Sequence, residues 1–186
     1  MKKLKITAYI IFILTLALIF SSCQSETTEG IASATELTDG TKVKLANNDA
    51  VDFYFYYPEN WIISRDDLML TIYANDLELT RPNISAWAFT PDVSAAYKTI
   101  DAYWKEFAVP ELEVIFPDIE KAVVQERTVD GVAAKKYTYT GMGYKISQIV
   151  VLKNRQVYIL TYTATEDKYD THSEVLDIVA DTFKFK

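Results

Sequence analysis

The chain has 186 residues, which is enough for one domain of ordinary size and too few for two comfortable ones. Apolar residues make up 49% and aromatic residues 13% of it, a composition that excludes a disordered chain and predicts a packed core. The net charge of −7 makes the chain acidic, so it is repelled by nucleic acid and no nucleic-acid partner is expected.

The first 22 residues have the layout of a secretory signal peptide. Lys2, Lys3 and Lys5 form a basic start, and a fifteen-residue apolar run extends from Ile6 to Phe20 before small residues follow. A membrane-spanning helix needs about 20 apolar residues, so this run is short for a permanent span. The sequence therefore predicts that the first 22 residues are a signal peptide that is removed on export.

The end of this segment, Phe20-Ser21-Ser22-Cys23, resembles the lipobox of bacterial lipoproteins, in which small residues precede a cysteine that becomes the new N-terminus. Phe20 stands where that family usually has leucine. The resemblance implies that the Cys23 thiol receives a diacylglyceryl group and that residues 1–22 are removed. The modification requires a thiol because a thiolate is a good nucleophile near neutral pH.

A lipid on Cys23 would make the membrane a partner of this protein. Two acyl chains on one glycerol are enough for a stable anchor, whereas one chain binds only marginally. We therefore expect a protein anchored by lipid to the extracytoplasmic face of a bacterial cell membrane. The alternative is an ordinary cleaved signal peptide that is followed by a free cysteine. Because Cys23 is the only cysteine, no disulfide is expected.

The stretch after Cys23 has the composition of a tether. Removing residues 1–22 takes away three lysines and no acid, which leaves 16 basic against 26 acidic residues and a net charge of −10. The following residues are rich in Ser, Thr, Glu, Ala and Gly without a sustained apolar period. We assign residues 23–48 to the lipidated N-terminus and a flexible tether and residues 49–186 to a globular domain. The boundary is placed only between Thr41 and Asp49, because Lys42 to Leu45 alternates and is a candidate for the first strand.

Three strands and one helix are predicted in the first half of this domain. The strands are Val51 to Tyr57, which Pro58 ends, Met69 to Tyr73 and Ile84 to Phe89. The helix runs from about Ser94 to Phe107, where apolar residues recur at spacings of three and four while charged residues occupy the opposite side. Its apolar stripe consists of Tyr97, Ile100, Trp104 and Phe107, with Ala96 and Tyr103 beside them. The segment from Pro110 to Pro117 is a link whose form the sequence does not indicate.

The run from Lys121 to Thr163 predicts an antiparallel meander of four strands. Three reversals divide it: Asp130-Gly131, a strong hairpin signal, then Gly141-Met142-Gly143, then Lys153-Asn154. The strands between them are Val123 to Val129, Val132 to Thr140, Ile146 to Leu152 and Arg155 to Thr163.

A second helix is predicted after the meander. Thr171 to Glu174 reads as a capping box, in which the two side chains satisfy backbone N–H groups at a helix start. A helical stripe of Val175, Ile178, Val179 and Phe183 follows, and Phe183 to Lys186 alternates like a short strand. Strands that are apolar on both faces need cover on both sides. The predicted fold class is therefore α+β, an α/β/α sandwich whose central antiparallel sheet, the meander, carries helices on both faces.

Four motifs resemble the family of PsbP-like domains, which is named after an extrinsic lumenal subunit of photosystem II and also occurs in bacterial lipoproteins. They are Tyr57-Pro58-x-x-Trp61, Asp130-Gly131, the run from Val157 to Ala164 and Phe183-x-Phe185, and together they cover Val51 to Phe185. The resemblance implies an antiparallel sheet flanked by helices and no enzyme activity. In photosystems the relative is an accessory protein that helps to hold a metal-ion centre, and no residue set here matches that role.

No constellation in the sequence predicts a catalytic, cofactor-binding or metal site. His172 is the only histidine and lies in a predicted first helical turn, and there is no Gly-x-Ser-x-Gly elbow. Asp66-Asp67 and the pair of Asp76 and Glu78 are interpreted as solvated loop charges, with weak calcium binding as the alternative. Tyr54, Tyr56 and Tyr144 are the tyrosines to inspect for an exposed platform that binds sugars or peptides.

The function predicted from the sequence is that of a non-enzymatic binding or accessory module of the cell envelope, with an unidentified protein or envelope component as partner. The alternative is a hydrolase that acts on envelope material through carboxylates. A deep pocket with two converging carboxylates would favour the hydrolase. An exposed apolar patch would favour partner binding.

Overall fold

The computed structural model describes residues 35–65, 68–75, 80–91 and 97–186, and the structural statements below concern these ranges. The predicted signal peptide, Cys23 and most of the predicted tether lie outside them. So do both acidic loop pairs and the predicted start of the first helix. No helix within the described ranges has the length and apolarity that a membrane span requires.

Two antiparallel sheets make up most of the described chain. One has four strands in the order β1-β2-β3-β11, and the other has seven in the order β4-β5-β6-β10-β9-β8-β7. The strands are β1 (Thr35–Glu36), β2 (Lys42–Asn47), β3 (Phe53–Pro58), β4 (Ile62–Arg65), β5 (Met69–Tyr73), β6 (Asn83–Phe89), β7 (Val123–Val129), β8 (Val132–Gly141), β9 (Tyr144–Lys153), β10 (Gln156–Thr165) and β11 (Lys184–Phe185).

Helices lie in two parts of the described chain. The first part is one continuous rod of α1 (Ile100–Tyr103), a π-helical turn (Trp104–Ala108) and α2 (Val109–Leu112), followed by a 3₁₀ turn (Ile119–Lys121). The second part consists of α3 (Tyr169–His172) and α4 (Glu174–Thr182). Thr99 caps the rod at its N-terminus, because its side chain accepts a hydrogen bond from the Ala102 N–H at 3.1 Å.

The seven-stranded sheet buries both of its faces, as the sequence predicts. On one face Ile149 and Leu160 pack into a core shared with α4 and with β3 of the small sheet. On the other face Val150 and Ile159 pack into a second core under the rod, which contributes Trp104. Successive strand residues point to opposite faces, so β6, β8, β9 and β10 each supply both cores. This confirms the α+β fold class with helices on both faces of a central antiparallel sheet.

The predicted meander is confirmed as β7 to β10, but its third turn is displaced by one residue. Asp130 and Gly131 both have positive φ, as do Met142 and Gly143 in the second turn. The third turn is formed by Asn154 and Arg155, with φ of 51° and 68°, rather than by Lys153 and Asn154. Lys153 instead pairs with Gln156 as the last residue pair of the ladder.

The helical rod differs from the predicted helix at both ends. Within the described chain it begins at Ile100, and it continues past Phe107 to Leu112, so the link predicted at Pro110 starts inside a helix. Proline lacks an N–H and its ring clashes with the carbonyl four residues earlier. The π turn precedes Pro110, with the Val109 N–H bonded to the Trp104 carbonyl five residues back, and widens the helix there.

The predicted capping box at Thr171 does not form. The Thr171 N–H bonds to the Lys168 carbonyl inside α3, so this residue is already helical. Ser173 stands before α4 with helical φ and ψ, and its side chain makes no capping bond. An N-cap requires non-helical backbone, which explains the failure. The C-terminal strand is confirmed, because Lys184 and Phe185 pair with β3.

β2 agrees with the candidate first strand at Lys42 to Leu45, although that segment lies inside the residues assigned to the tether. It pairs with β3, and its Val43 and Ala46 are fully buried. Paired structure therefore begins before residue 49. β4 was not predicted, and it pairs with β5 at the edge of the large sheet.

Tyrosines dominate the core under the rod. The Trp104 indole stacks on the Tyr137 ring, with ring centres 3.7 Å apart and planes 6° from parallel. The hydroxyls of Tyr137 and Tyr139 are buried, and neither has a hydrogen-bond partner among the described residues. Burial raises the pKa of Tyr137 to about 12 and raises that of Tyr139 further.

Replacing Trp104 tests whether the rod is held by this stacked pair. We expect Trp104→Ala to lower the free energy of unfolding by about 3 to 5 kcal/mol, because it removes a large buried side chain and leaves a cavity. Lys105→Ala, at the adjacent exposed position, is the matched control and should stay within about 0.5 kcal/mol of the wild type. Urea unfolding followed by circular dichroism measures both, and equal stability of the two variants would contradict the packing described.

Removing the Tyr139 hydroxyl should cost no stability at neutral pH, because that group is buried without a partner. The matched control is Tyr162→Phe, whose lost hydroxyl donates to the Tyr169 carbonyl at 2.9 Å, and it should cost about 1 to 3 kcal/mol. Urea unfolding at pH 7 compares the two. A larger loss for Tyr139→Phe than for the control would be inconsistent with an unpartnered hydroxyl.

Alkaline pH provides an independent check on the same group. The folded pKa of Tyr139 lies above its unfolded value of about 10, so the unfolded chain loses this proton first as pH rises. Stability contributed by the neutral phenol is therefore complete below about pH 10 and declines above it. Tyr139→Phe should lose less stability than the wild type between about pH 9 and 11, and an identical decline would count against burial of this hydroxyl.

Candidate functional site

The acidic residues do not form a candidate acid–base pair where the structure describes them. Asp177 and Asp181 of α4 converge, but they do so on the Arg127 guanidinium of β7, with 2.7 Å from Arg127 Nη2 to Asp181 Oδ1. Lys136 adds a second positive charge 3.4 Å from Asp177. Two carboxylates that share a guanidinium form a structural ion-pair network between β7 and α4.

No metal centre is apparent in the described ranges either. No group of three or more His, Cys, Asp or Glu side chains comes together there in a way that could hold an ion. Asp66, Asp67, Asp76 and Glu78 lie outside those ranges, so the prediction that they are solvated, and its calcium alternative, stay predictions.

The only histidine is a packing residue. His172 is partly buried at the end of α3, where its ring contacts the edge of the Trp61 indole with ring centres 5.8 Å apart. Trp61 belongs to the Tyr57-Pro58-x-x-Trp61 motif and is itself buried. The contact thus joins the first part of the domain to its C-terminal helices.

The three tyrosines singled out by the sequence analysis do not form an exposed platform. Tyr54, Tyr56 and Tyr144 are each partly buried. Tyr54 and Tyr56 lie on β3, and the backbone N–H of Tyr56 donates to the Thr182 hydroxyl of α4 at 3.0 Å. Tyr144 begins β9, far along the chain, and packs against the core under the rod.

One open cleft lies beside the third turn of the meander. Its volume is about 200 Å³, below the range of about 300 to 1,000 Å³ that is usual for ligand pockets. Lys98 and Arg155 line it, together with Tyr97 and Gln156, and none of the described carboxylates does. Within the described residues the cleft has no pair of converging carboxylates of the kind that would favour a hydrolase.

β7 forms one edge of the large sheet and is largely exposed to solvent. β7 is the outermost strand at its end of the sheet, and five of its seven residues are exposed. Val123 and Val124 have 62% and 48% of their surface exposed to solvent, although large apolar side chains are usually buried. Val114 and Met142, also exposed, lie in the segments that flank the same end of the sheet. We call the strand Val123–Val129 the β7 edge.

The charged side chains on and beside the β7 edge form ion pairs within the domain. Lys135 of β8 reaches across to Glu126 at 3.2 Å and to Asp101 of the rod at 2.6 Å. The hydrogen bond to Asp101 raises the pKa of Lys135, so this lysine is charged at neutral pH. Arg127 is bound to α4, as described above. The side chain of Glu126 stays 78% exposed, which leaves a carboxylate at the middle of the edge.

Sequence reasoning did not identify this edge. It placed Val123 and Val124 in a strand, and an apolar strand residue is ordinarily counted as core. The order of strands in the sheet decides whether a strand has one neighbour or two, and that order depends on pairing between β6 and β10, which are distant in sequence. The one available signal was that β7 is the first strand of the meander, with no hairpin partner before it.

Comparison with known proteins agrees with this architecture. A family profile described as PsbP-like protein matches residues 4–185. The solution structure of cyanobacterial PsbP (CyanoP) from Synechocystis sp. PCC 6803 is similar with a TM-score of 0.54 and 16% identity, over 90% of this chain and 99% of that one. A protein from Bacteroides thetaiotaomicron VPI-5482 is similar with a TM-score of 0.51 and 14% identity, over 76% of this chain and 48% of that one.

A third structure is less similar. LpqN, involved in cell envelope biogenesis of Mycobacterium tuberculosis, gives a TM-score of 0.48 and 15% identity, over 83% of this chain and 90% of that one. The sequence matches no curated protein. The family match covers nearly the whole chain, and the shared fold has the strands and helices described above, so the chain belongs to the PsbP-like protein family.

Proposed function

We propose that this PsbP-like protein is anchored by lipid on Cys23 to the outer face of a bacterial cell membrane, where its domain binds a protein partner of the envelope. The domain acts there as an accessory or assembly module and not as an enzyme. The observation that carries the binding role is the β7 edge, an ordered strand with two exposed valines and an unpaired side. Val123 and Val124 point to opposite faces of the sheet, so an extended segment added beside β7 would contact apolar surface on both faces.

Two further observations support a role without catalysis. PsbP-like proteins are generally non-catalytic. The described carboxylates that converge do so on Arg127, and the cleft near Arg155 carries no acid. A hydrolase acting through carboxylates thus finds no support in the described part of the chain.

The anchor is supported by the N-terminal sequence. The basic start, the fifteen-residue apolar run and the small residues before Cys23 occur in the order that a lipoprotein precursor requires. A net charge of −10 after processing keeps the domain away from anionic headgroups, so its attachment would depend on the lipid and not on surface charge.

Cys23→Ser should abolish attachment of lipid, because a serine hydroxyl does not replace the thiolate nucleophile. The full chain, expressed in a bacterium with labelled palmitate, should carry the label, and the Cys23→Ser variant should carry none. Ser22→Ala keeps a small residue at the preceding position and is the matched control, with labelling unchanged. Palmitate incorporated into Cys23→Ser at the wild-type level would show that the anchor is elsewhere.

Partner binding is tested in intact cells that carry the anchored protein. A short amine-reactive crosslinker should give one discrete adduct with another envelope protein, because exposed lysines such as Lys42, Lys105 and Lys121 are distributed over the domain. The control is a sample without crosslinker, and mass spectrometry identifies the adduct. An absence of any adduct in stoichiometric amount would contradict the binding role, whatever the outcome for the anchor.

A further inference from the structure

The β7 edge presents backbone groups that no described strand uses. β7 pairs with β8 along its whole length, from Val123 opposite Thr138 to Val129 opposite Val132. Among the strands of the described ranges, none lies beyond β7 on its other side. An unpaired side of a strand is a row of N–H and C=O groups that can pair with another extended chain.

The hairpin fixes which of these groups face outward. Asp130 and Gly131 form a two-residue turn, so Val129 and Val132 beside it exchange both of their hydrogen bonds. Hydrogen-bonded pairs then alternate along the strand. The backbone N–H and C=O groups point toward β8 at Val129, Arg127, Gln125 and Val123. The residues whose N–H and C=O point away from β8 are Thr128, Glu126 and Val124.

β7 lacks several of the features that usually protect a sheet edge, although Glu126 gives it one exposed charge. The strand contains no proline, and its register with β8 is one-to-one without a bulge. Seven residues make it longer than β4, the four-residue strand at the opposite edge. Its one basic side chain, Arg127, is bound to Asp177 and Asp181 of α4, so it does not disfavour the approach of another strand.

We propose that the β7 edge receives an extended segment of a partner protein as an eighth strand of the sheet. This inference rests on the proposed partner-binding function and specifies its surface. The partner's main chain would pair with the outward groups of Val124, Glu126 and Thr128, which is the known mode of recognition by strand addition. The site is thus defined by backbone and not by a pocket.

Charge and burial define the chemistry of the segment. Val123 and Val124 expose apolar surface at one end of the edge, so the segment carries apolar residues there. Glu126 stands exposed in the middle and shares Lys135 with Asp101, so these three groups carry one net negative charge. The processed chain also has a net charge of −10, so the segment carries a Lys or Arg opposite Glu126. We therefore expect a basic and apolar extended segment.

A second copy of this chain fits the edge less well. If two β7 strands paired antiparallel over all seven residues, the two-fold axis would pass between the two Glu126 side chains. Like charges directly opposite each other destabilise a strand pair. The same symmetry would bring together two domains that each carry a large negative charge.

Position-specific crosslinking in cells tests the location of the partner. A photoreactive residue placed at exposed Gln125 of the full, anchored chain should give a discrete adduct with one other protein on illumination. The same residue placed at exposed Glu59, beyond the end of β3, should give at least about tenfold less of that adduct. Equal yields from both positions would place the partner elsewhere and overturn strand addition while leaving partner binding intact.

Proline substitution tests whether the backbone makes the contact. Thr128→Pro removes an outward N–H and no hydrogen bond to β8, whereas Thr128→Val keeps the N–H and is the matched control. The Gln125 adduct should fall about tenfold or more in Thr128→Pro and stay unchanged in Thr128→Val. Val124→Pro provides the same test at the other outward end, should one variant not fold. An adduct that persists in both folded proline variants would overturn the proposal.

The remaining outcomes are equally decisive. Glu126→Lys should reduce the adduct several-fold, and an increase would refute a basic segment. An adduct with the mass of two copies of this chain, or a crosslink within one chain, would identify a different occupant and overturn the proposal. Absence of any adduct from Gln125 and Glu59 alike would refute both the strand addition and the proposed binding function.

Discussion

Burial of both faces of β9 is the constraint on which the rest of the structure depends. Ile149 and Val151 enter one core, while Ile146 and Val150 enter the other, and all four are at most 3% exposed. An antiparallel strand with one solvent-exposed face would need only one covering layer. With two apolar faces, β9 requires α4 and the small sheet on one side and the rod on the other. The small sheet joins early and late parts of the described chain, because β11 pairs with β3.

The meander was predictable because its information is local. Its alternating runs and its turn residues lie within a few positions of one another, and the register follows once the faces are assigned. The third turn shows where this stops. A turn at Lys153 and Asn154 would have shifted the pairing of β10 with β9 by two residues and kept the same side chains on each face, so the alternation of apolar residues does not distinguish the two registers. In the structure Asn154 and Arg155 take the left-handed backbone of the turn.

The elements that the sequence missed depend on distant contacts or on competing local signals. Thr171 and Glu174 have the spacing of a capping box, but the chain is already helical at Tyr169, which is packed against Tyr162 of β10. The rod persists through Pro110 because a π turn accommodates it while Leu112 gains burial. The small sheet joins strands from both ends of the described chain, and no window of the sequence contains that pairing. The anchor at Cys23 stays a prediction.

The same constraint explains where a binding surface is available. A sheet whose two faces are covered can offer a partner only its loops or its edges, and β7 is the longer of the two edges. Recognition at a sheet edge in general depends on N–H and C=O groups that every residue except proline carries in full. A site of that kind leaves no set of histidines, carboxylates or glycines in a sequence. A search for chemical motifs therefore cannot detect it, whereas the order of the described strands shows which edges are open.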